Sequence, residues 1–236
     1  MADDTKRLPQ YKGTLTASQI AEGMNASIKN AQRLLQSAKI LFEHKDYSSA
    51  VSLAVLAMEE VGKCSILRSL ALAKDSASLK EAWKEYRTHV KKIRTCDLIR
   101  YISGNSIKLQ DFRKIFEETN SLPYLLDQIK QIGFYTDCLG KAHWSIPANV
   151  IDKNFADHIL HTAQCHCSSD KIITEKEIEL WVECLSPVWM KSMDEMKNGL
   201  LLWRKKMREA GLITEPDHFD EFITSGWNIG DRNGHR

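Results

Sequence analysis

The sequence predicts an all-α protein, a helical bundle with additional C-terminal helices, and three observations carry that expectation. Between residues 17 and 44, Ile20, Met24, Ile28, Ala31, Leu35, Ala38 and Phe42 recur at helical spacing. The stretch 46–74, DYSSAVSLAVLAMEEVGKCSILRSLALAK, is apolar around most of its circumference. Leu53, Ala57, Val61 and Cys64 share one side, while Val51, Val55, Ile66 and Leu70 lie across the axis. A helix of that kind belongs inside a bundle, packed on several sides. Nowhere does apolar–polar alternation persist for the length of a strand.

Taken in order, residues 1–15 read as a flexible polar arm. Thr16 with Gln19 forms a capping box that opens the first helix. The link Glu43-His44-Lys45-Asp46 is short, so the first two helices pack as an antiparallel hairpin. Ala50, Ala54 and Ala57 permit their close approach. After Asp75-Ser76 a third helix is carried by Leu79, Ala82, Trp83, Tyr86, Val90 and Ile93. Gly104-Asn105 breaks the chain, and residues 109–119 and 122–139 read as two helices separated near Pro123. A loop at 140–147 leads to a helix over 150–167. The last long helical stretch, 175–209, is kinked or split by Pro187 and stopped by Gly211. The main domain therefore spans 16–212. Residues 213–236, with Gly226, Gly230 and Gly234, form a loosely ordered tail apart from an amphipathic turn at 219–223.

Composition excludes several classes. With 43% hydrophobic and 27% charged residues the chain is an ordinary globular protein, and a net charge of +2 does not mark a nucleic-acid binder. Lys and Arg outnumber Asp and Glu in the first 95 residues and are outnumbered after them, so the N-terminal half is the better polyanion face. The apolar run 50–58 is too short to cross a bilayer, and the polar start MADDTKRLPQYKG lacks a signal-peptide core. The expected location is the cytoplasm, with no membrane partner. Six cysteines without CxxC spacing (Cys64, Cys96, Cys138, Cys165, Cys167, Cys184) read as reduced thiols. Walker A, GxGxxG, HExxH and GxSxG sequences are absent.

Charges in the middle of the apolar helix need a reason. Glu59, Glu60 and Lys63 sit there, and a buried charge is costly unless paired. Glu59 and Lys63 stand at i, i+4 with the acid N-terminal, so a buried Glu59–Lys63 salt bridge is one reading. Glu60 falls between Leu53 and Leu67, on a side that should otherwise be core. Further on, Lys84, Arg87, Lys91, Lys92 and Arg94 crowd around His89. The helix macrodipole accounts for cations at a C-terminal end; a phosphate-facing patch is the competing reading. A carboxylate, an ammonium and an imidazole on adjacent helices suffice for metal-free phosphodiester cleavage.

Other candidates carry less. His158, His161 and Cys165 share a face at i, i+3, i+7, with His166 and Cys167 beside them, and all are ligand types. No second group has a zinc-like spacing, so a solvated helix face is expected, with no metal and no cofactor. Trp181, Trp189, Met190, Met193, Met196 and Trp203 read as core rather than a stacking platform. A helical-repeat scaffold fails for want of a second copy at a period of about 34 residues.

Three motifs in order tie the charged residues together. The pattern NAQRLLQSAKILFEHKDYSSAVSLAVLAMEEVGK, then HVKK, then IKQIGFYTDCLGKAHWSIP resembles the AbiV family of bacterial abortive-infection proteins over residues 17–150. The family's EE-x-GK falls on Glu59, Glu60, Gly62 and Lys63, its H-x-x-K on His89 and Lys92, and its K-x-x-G-x-Y-x-D on Lys130, Gly133, Tyr135 and Asp137. Asn30 matches the Asn-Ala step of the first helix. The resemblance implies a HEPN-like helical bundle, homodimeric, in a cytoplasmic antiphage effector that acts on RNA or translation and answers to a phage-encoded activator protein. The nuclease signature of HEPN proteins, Arg followed by His after four to six residues, is absent: Arg87 and His89 are too close, and Lys39 precedes His44. A metal-independent endoribonuclease would then draw on His89 as acid/base, Lys63 and Lys92 as phosphate contacts, and Glu60 to orient them. Asn30, Glu59, Arg87, Lys130, Tyr135 and Asp137 would line the RNA cleft. The alternative is a non-catalytic interaction module that binds a phage, ribosomal or partner protein, with the Glu59–Glu60–Lys63 network fixing bundle packing.

Overall fold

The computed structural model describes residues 9–92, 122–168, 170–214 and 218–225. The expectations for residues 1–8, Ile93, Arg94, Cys96, the Gly104-Asn105 break, the helix at 109–119 and the tail from Gly226 lie outside them. The described residues form nine helices and one hairpin: α1 (Ala17–Glu43), α2 (Tyr47–Ala71), α3 (Ser76–Arg87), α4 (Leu122–Phe134), β1 (Asp137–Leu139), β2 (His143–Ser145), α5 (Pro147–Val150), α6 (Lys153–Cys167), α7 (Glu175–Leu185), α8 (Met193–Glu209) and α9 (His218–Ser225).

Helix α1 starts at the Thr16–Gln19 capping box, in which each side chain accepts the other residue's backbone N–H. The turn to α2 is closed by Lys45, held at φ 65°, and by Asp46, whose carboxylate accepts the Ser49 N–H at 3.2 Å. Helix α2 is the axis of the bundle and packs against α1, α3, α4, α5, α6 and α7. That surround is why its apolar residues form no single stripe. One core cluster joins Ala31, Leu35, Ala54 and Met58 to Leu126, Ile159 and Ala163 of α4 and α6. A second joins Ile20, Met24, Cys64 and Leu67 to Trp83 and Ile178. The third, around Trp181, Leu185, Trp203 and Met207, fastens α7 and α8 to Leu72 at the end of α2. Each fully buried Leu or Met contributes about 1.5–3 kcal/mol.

Several boundaries depart from the expected ones. The third helix stops at Arg87 because Thr88 is extended (φ −97°, ψ 120°), and residues 89–92 form a separate helical turn. The helix expected over 122–139 ends at Phe134, since Asp137–Leu139 pairs antiparallel with His143–Ser145. Three-residue strands are too short for alternation to register in a sequence. The stretch 175–209 divides into α7 and α8, the second opened by a Ser192–Glu195 capping box. Helix α6 begins at Lys153 under an Asp152 cap. Residues 218–225 are a helix, α9, held to α8 by Arg204 and Arg208 on Asp220.

Residues 11–14 are tied down as well: Trp83 Nε1 donates to Gly13 O at 3.0 Å, and the Tyr11 ring packs edge-on to Trp83.

Two glycines set how closely neighbours approach α2. A Cβ at Gly62 would stand 2.0 Å from Lys92 O, and one at Gly133 would stand 2.2 Å from Ser52 Oγ. The Ser52 hydroxyl in turn donates to Lys130 O at 3.0 Å. Thus α2 touches the 89–92 turn at Gly62 and α4 at Ser52. Gly62→Ala should lower stability by about 1–3 kcal/mol through that clash. Gly23→Ala, where a Cβ meets only the two Leu67 methyls at 3.4 and 3.9 Å, should raise it by about 0.5–1 kcal/mol. Urea unfolding of the two variants measures both.

Candidate functional site

Where α2, the 89–92 turn and α4 meet, the Glu59 carboxylate is 2% exposed. Its Oε2 lies 2.6 Å from His89 Nδ1 and its Oε1 lies 2.7 Å from Lys130 Nζ. Lys130, itself 4% exposed, also donates to Asp127 Oδ1 at 2.7 Å. Burial works against the Lys130 charge, but the hydrogen bonds to Asp127 and Glu59 outweigh it and hold the ammonium pKa above its ordinary range. A carboxylate can only accept, so the Glu59 contact selects the Nδ1–H tautomer of a neutral His89. Nε2 is then the lone-pair nitrogen, and among the described residues it makes no hydrogen bond. The His89 side chain is 52% exposed, unlike the carboxylate behind it.

The pairing expected between Glu59 and Lys63 does not form. Lys63 bonds Glu60 instead, at 2.5 Å, with its ammonium 5.6 Å from the Tyr86 ring centroid. Orientation of the imidazole therefore falls to Glu59, not Glu60. At 100° per residue Glu59 points between the 89–92 turn and α4, where partners 30 and 71 residues away in sequence await it. Lys92 is 8% exposed, and burial pushes its ammonium pKa down.

Other expected site residues make their contacts outside this cluster. Asn30 accepts from Arg33 Nε and Nη2 at 3.1 and 2.9 Å. Arg87 donates to Tyr11 O and sits over the Trp83 ring, 5.2 Å from its centroid. Tyr135 is exposed beside Phe134, and the Asp137 carboxylate accepts the Cys138 N–H at 2.7 Å. Lys130 was expected at the cleft surface but is enclosed between two carboxylates. Asp127 is the member that sequence reasoning missed. Its signal was an acid three residues before Lys130 on one helix face.

Glu59, His89 and Asp127 bring donor atoms within 4.8 Å of one another, a spacing a metal ion tolerates. The Lys130 ammonium already bridges the two carboxylates, so a metal ion would have to displace it. His161 Nε2 and Cys165 Sγ are 3.9 Å apart on exposed faces of α6. What the Glu59 cluster offers chemically is an imidazole with one nitrogen anchored and the other available, which suits proton transfer.

A family model described as AbiV, of the HEPN group, matches residues 19–168. None of the curated proteins and none of the solved structures matches the chain at a significant level. The matched span contains α1 from residue 19 on, all of α2 to α6, and every residue of the Glu59 cluster.

Lys130→Met would leave the Glu59 carboxylate buried with only His89 as partner. Stability should fall by about 3–5 kcal/mol in denaturant unfolding at neutral pH. In the wild type this ammonium's contribution is fully present below its ordinary pKa of 10.5 and is lost only as pH rises through the higher folded value. The deficit of the variant should accordingly shrink only in strongly alkaline solution.

Proposed function

Since the chain belongs to the AbiV family of HEPN-like abortive-infection proteins, we propose that it blocks phage propagation by cleaving RNA without a metal ion. The observation that carries this reading is the 2.6 Å contact of His89 Nδ1 with a buried carboxylate, which leaves Nε2 of a half-exposed imidazole for chemistry. Glu59 fixes the ring and its tautomer and stabilises the imidazolium once a proton arrives. Lys130 and Asp127 hold Glu59 in turn. In the reaction His89 Nε2 takes the proton of a ribose 2′-hydroxyl, the 2′-oxygen forms a bond to phosphorus, and the bond to the 5′-oxygen breaks. The same imidazole returns its proton to that leaving oxygen, so the transfer balances with no other acid or base. The products are a 2′,3′-cyclic phosphate and a 5′-hydroxyl end.

Arrest of translation would follow from loss of RNA. Among the described residues no helix is long and apolar enough to cross a membrane, and the reading places the protein in the cytoplasm, as a homodimer released by a phage-encoded activator. A second reading, a non-catalytic module that binds a phage or ribosomal protein, draws support from the hairpin region, where Tyr135 and Trp144 are 63% and 69% exposed.

Purified protein incubated with total bacterial RNA in EDTA, alone and with phage-infected lysate, separates the two. Discrete cleavage by the wild type is expected, and His89→Ala should lose roughly 10²–10⁴-fold in rate. Because Glu59 keeps Lys130 in that variant, its melting temperature should drop by no more than about 4 °C. Intact RNA under every condition removes catalysis and leaves the binding module.

A further inference from the structure

Three lysines surround the Glu59 cluster, and two of them have direct partners. Lys130 is held by Glu59 and Asp127, both at 2.7 Å, and Lys63 by Glu60 at 2.5 Å. Lys92 is different. It is 8% exposed, yet among the described residues no carboxylate or carbonyl accepts a hydrogen bond from its ammonium. Glu59 and Glu60 attract it from a distance, while Lys63 and Lys130 repel it, and burial depresses its pKa. Its Nζ is not among the side-chain atoms sealed from solvent without a partner, so the ammonium keeps contact with water while most of the side chain is covered. A partly desolvated cation with no bonded partner is unfavourable. Nor can the turn that carries it ease away without losing contact, since Lys92 O is seated against Gly62, where any Cβ would clash.

The neighbouring cations do not share this condition. Lys84 bonds Glu81, Lys91 pairs with Glu85 at 3.2 Å, and Arg87 donates to Tyr11 O. Of the basic residues expected to form a phosphate-facing patch, Lys92 alone among those described is both buried and without such a partner. It stands one helical turn from His89, so the two side chains project from neighbouring positions on the same turn.

We propose that Lys92 anchors an oxyanion subsite beside His89 and takes one phosphate group, that of the RNA backbone in the reaction above. The proposal rests on the RNA reading only for the source of the phosphate. Lys63, with its charge directed at Glu60, positions that carboxylate rather than the substrate. A phosphate oxygen would supply the hydrogen-bond acceptor that the ammonium lacks among the described residues, and a charge-assisted bond to a partly desolvated ammonium is a strong one. A partly desolvated charge without a bonded partner adds nothing to the stability of the free protein, which makes the assignment separable from a structural role.

The test is a titration of the full-length protein with inorganic phosphate by calorimetry, for wild type, Lys92→Met and Lys92→Arg, together with thermal melts and the RNA assay. One phosphate per chain is expected. Lys92→Met should weaken it roughly ten- to hundredfold, while Lys92→Arg keeps most of the affinity. Lys92→Met should melt at the wild-type temperature or above it. Equal phosphate affinity in wild type and Lys92→Met, or no phosphate binding by the wild type, overturns the subsite. So does a large fall in melting temperature for Lys92→Met, which would make Lys92 a structural residue. If phosphate binding requires Lys92 but RNA stays intact, the subsite stands and cleavage falls. If Lys92→Met cuts RNA at the wild-type rate, cleavage stands and the subsite falls.

Discussion

A carboxylate at the centre of a helical bundle has to be matched, and here the match joins three separate segments. Glu59 leaves α2 toward a space bounded by α4 and the turn after α3, and each of those supplies one partner for one oxygen. Desolvating a carboxylate costs several kcal/mol unless hydrogen bonds replace the lost water. The Lys130 and His89 contacts do this, and Asp127 keeps Lys130 from being over-committed to a single partner. The charges and the packing are therefore one arrangement. Ser52 and Gly133 bring the α4 backbone close enough for Lys130 to reach, and Gly62 does the same for the turn that carries His89 and Lys92.

The asymmetry of the cluster is what gives it chemical potential. On its buried side every group has a direct partner, which fixes geometry. Toward the surface, among the described residues, His89 keeps one nitrogen without a bond, and Lys92 keeps an ammonium without an acceptor. A purely structural salt bridge would have no need of a half-exposed imidazole. The helices beyond α6 have their own charged clasp, in which Glu177 is bonded by Arg68 at 2.6 Å and Lys171 at 2.9 Å. That clasp leaves Arg68 Nε buried without a hydrogen-bond partner, and its charges fasten α7 to α2.

Much of the fold was legible before any coordinates. The capping box at Thr16, the antiparallel α1–α2 hairpin and the central position of α2 all follow from side-chain spacing. The motif residues Glu59, His89 and Lys130 do come together, and the AbiV match covers all of them. The misreadings share one cause. The Glu59–Lys63 salt bridge that spacing offers as one reading rests on the i, i+4 rule, which is worth only about 0.2–0.5 kcal/mol and yields to tertiary partners in a buried site. The helix expected through Leu139 yields to a hairpin whose strands are too short to leave a pattern, and the continuous third helix yields to the extended backbone at Thr88.

By itself the sequence determined a predominantly helical chain, its innermost helix, its family and the set of residue types available for chemistry. These are properties of local spacing and side-chain identity, and spacing is read directly from the order of residues. Only the tertiary structure decided which acid holds the imidazole, that Asp127 belongs to the cluster, that Lys130 is enclosed, and that Lys92 has no hydrogen-bonded partner among the described residues. Those outcomes depend on which face of α2 meets α4 and on how near Gly62 and Gly133 let the backbones come, and no local rule reaches across 30 or 71 residues to state them.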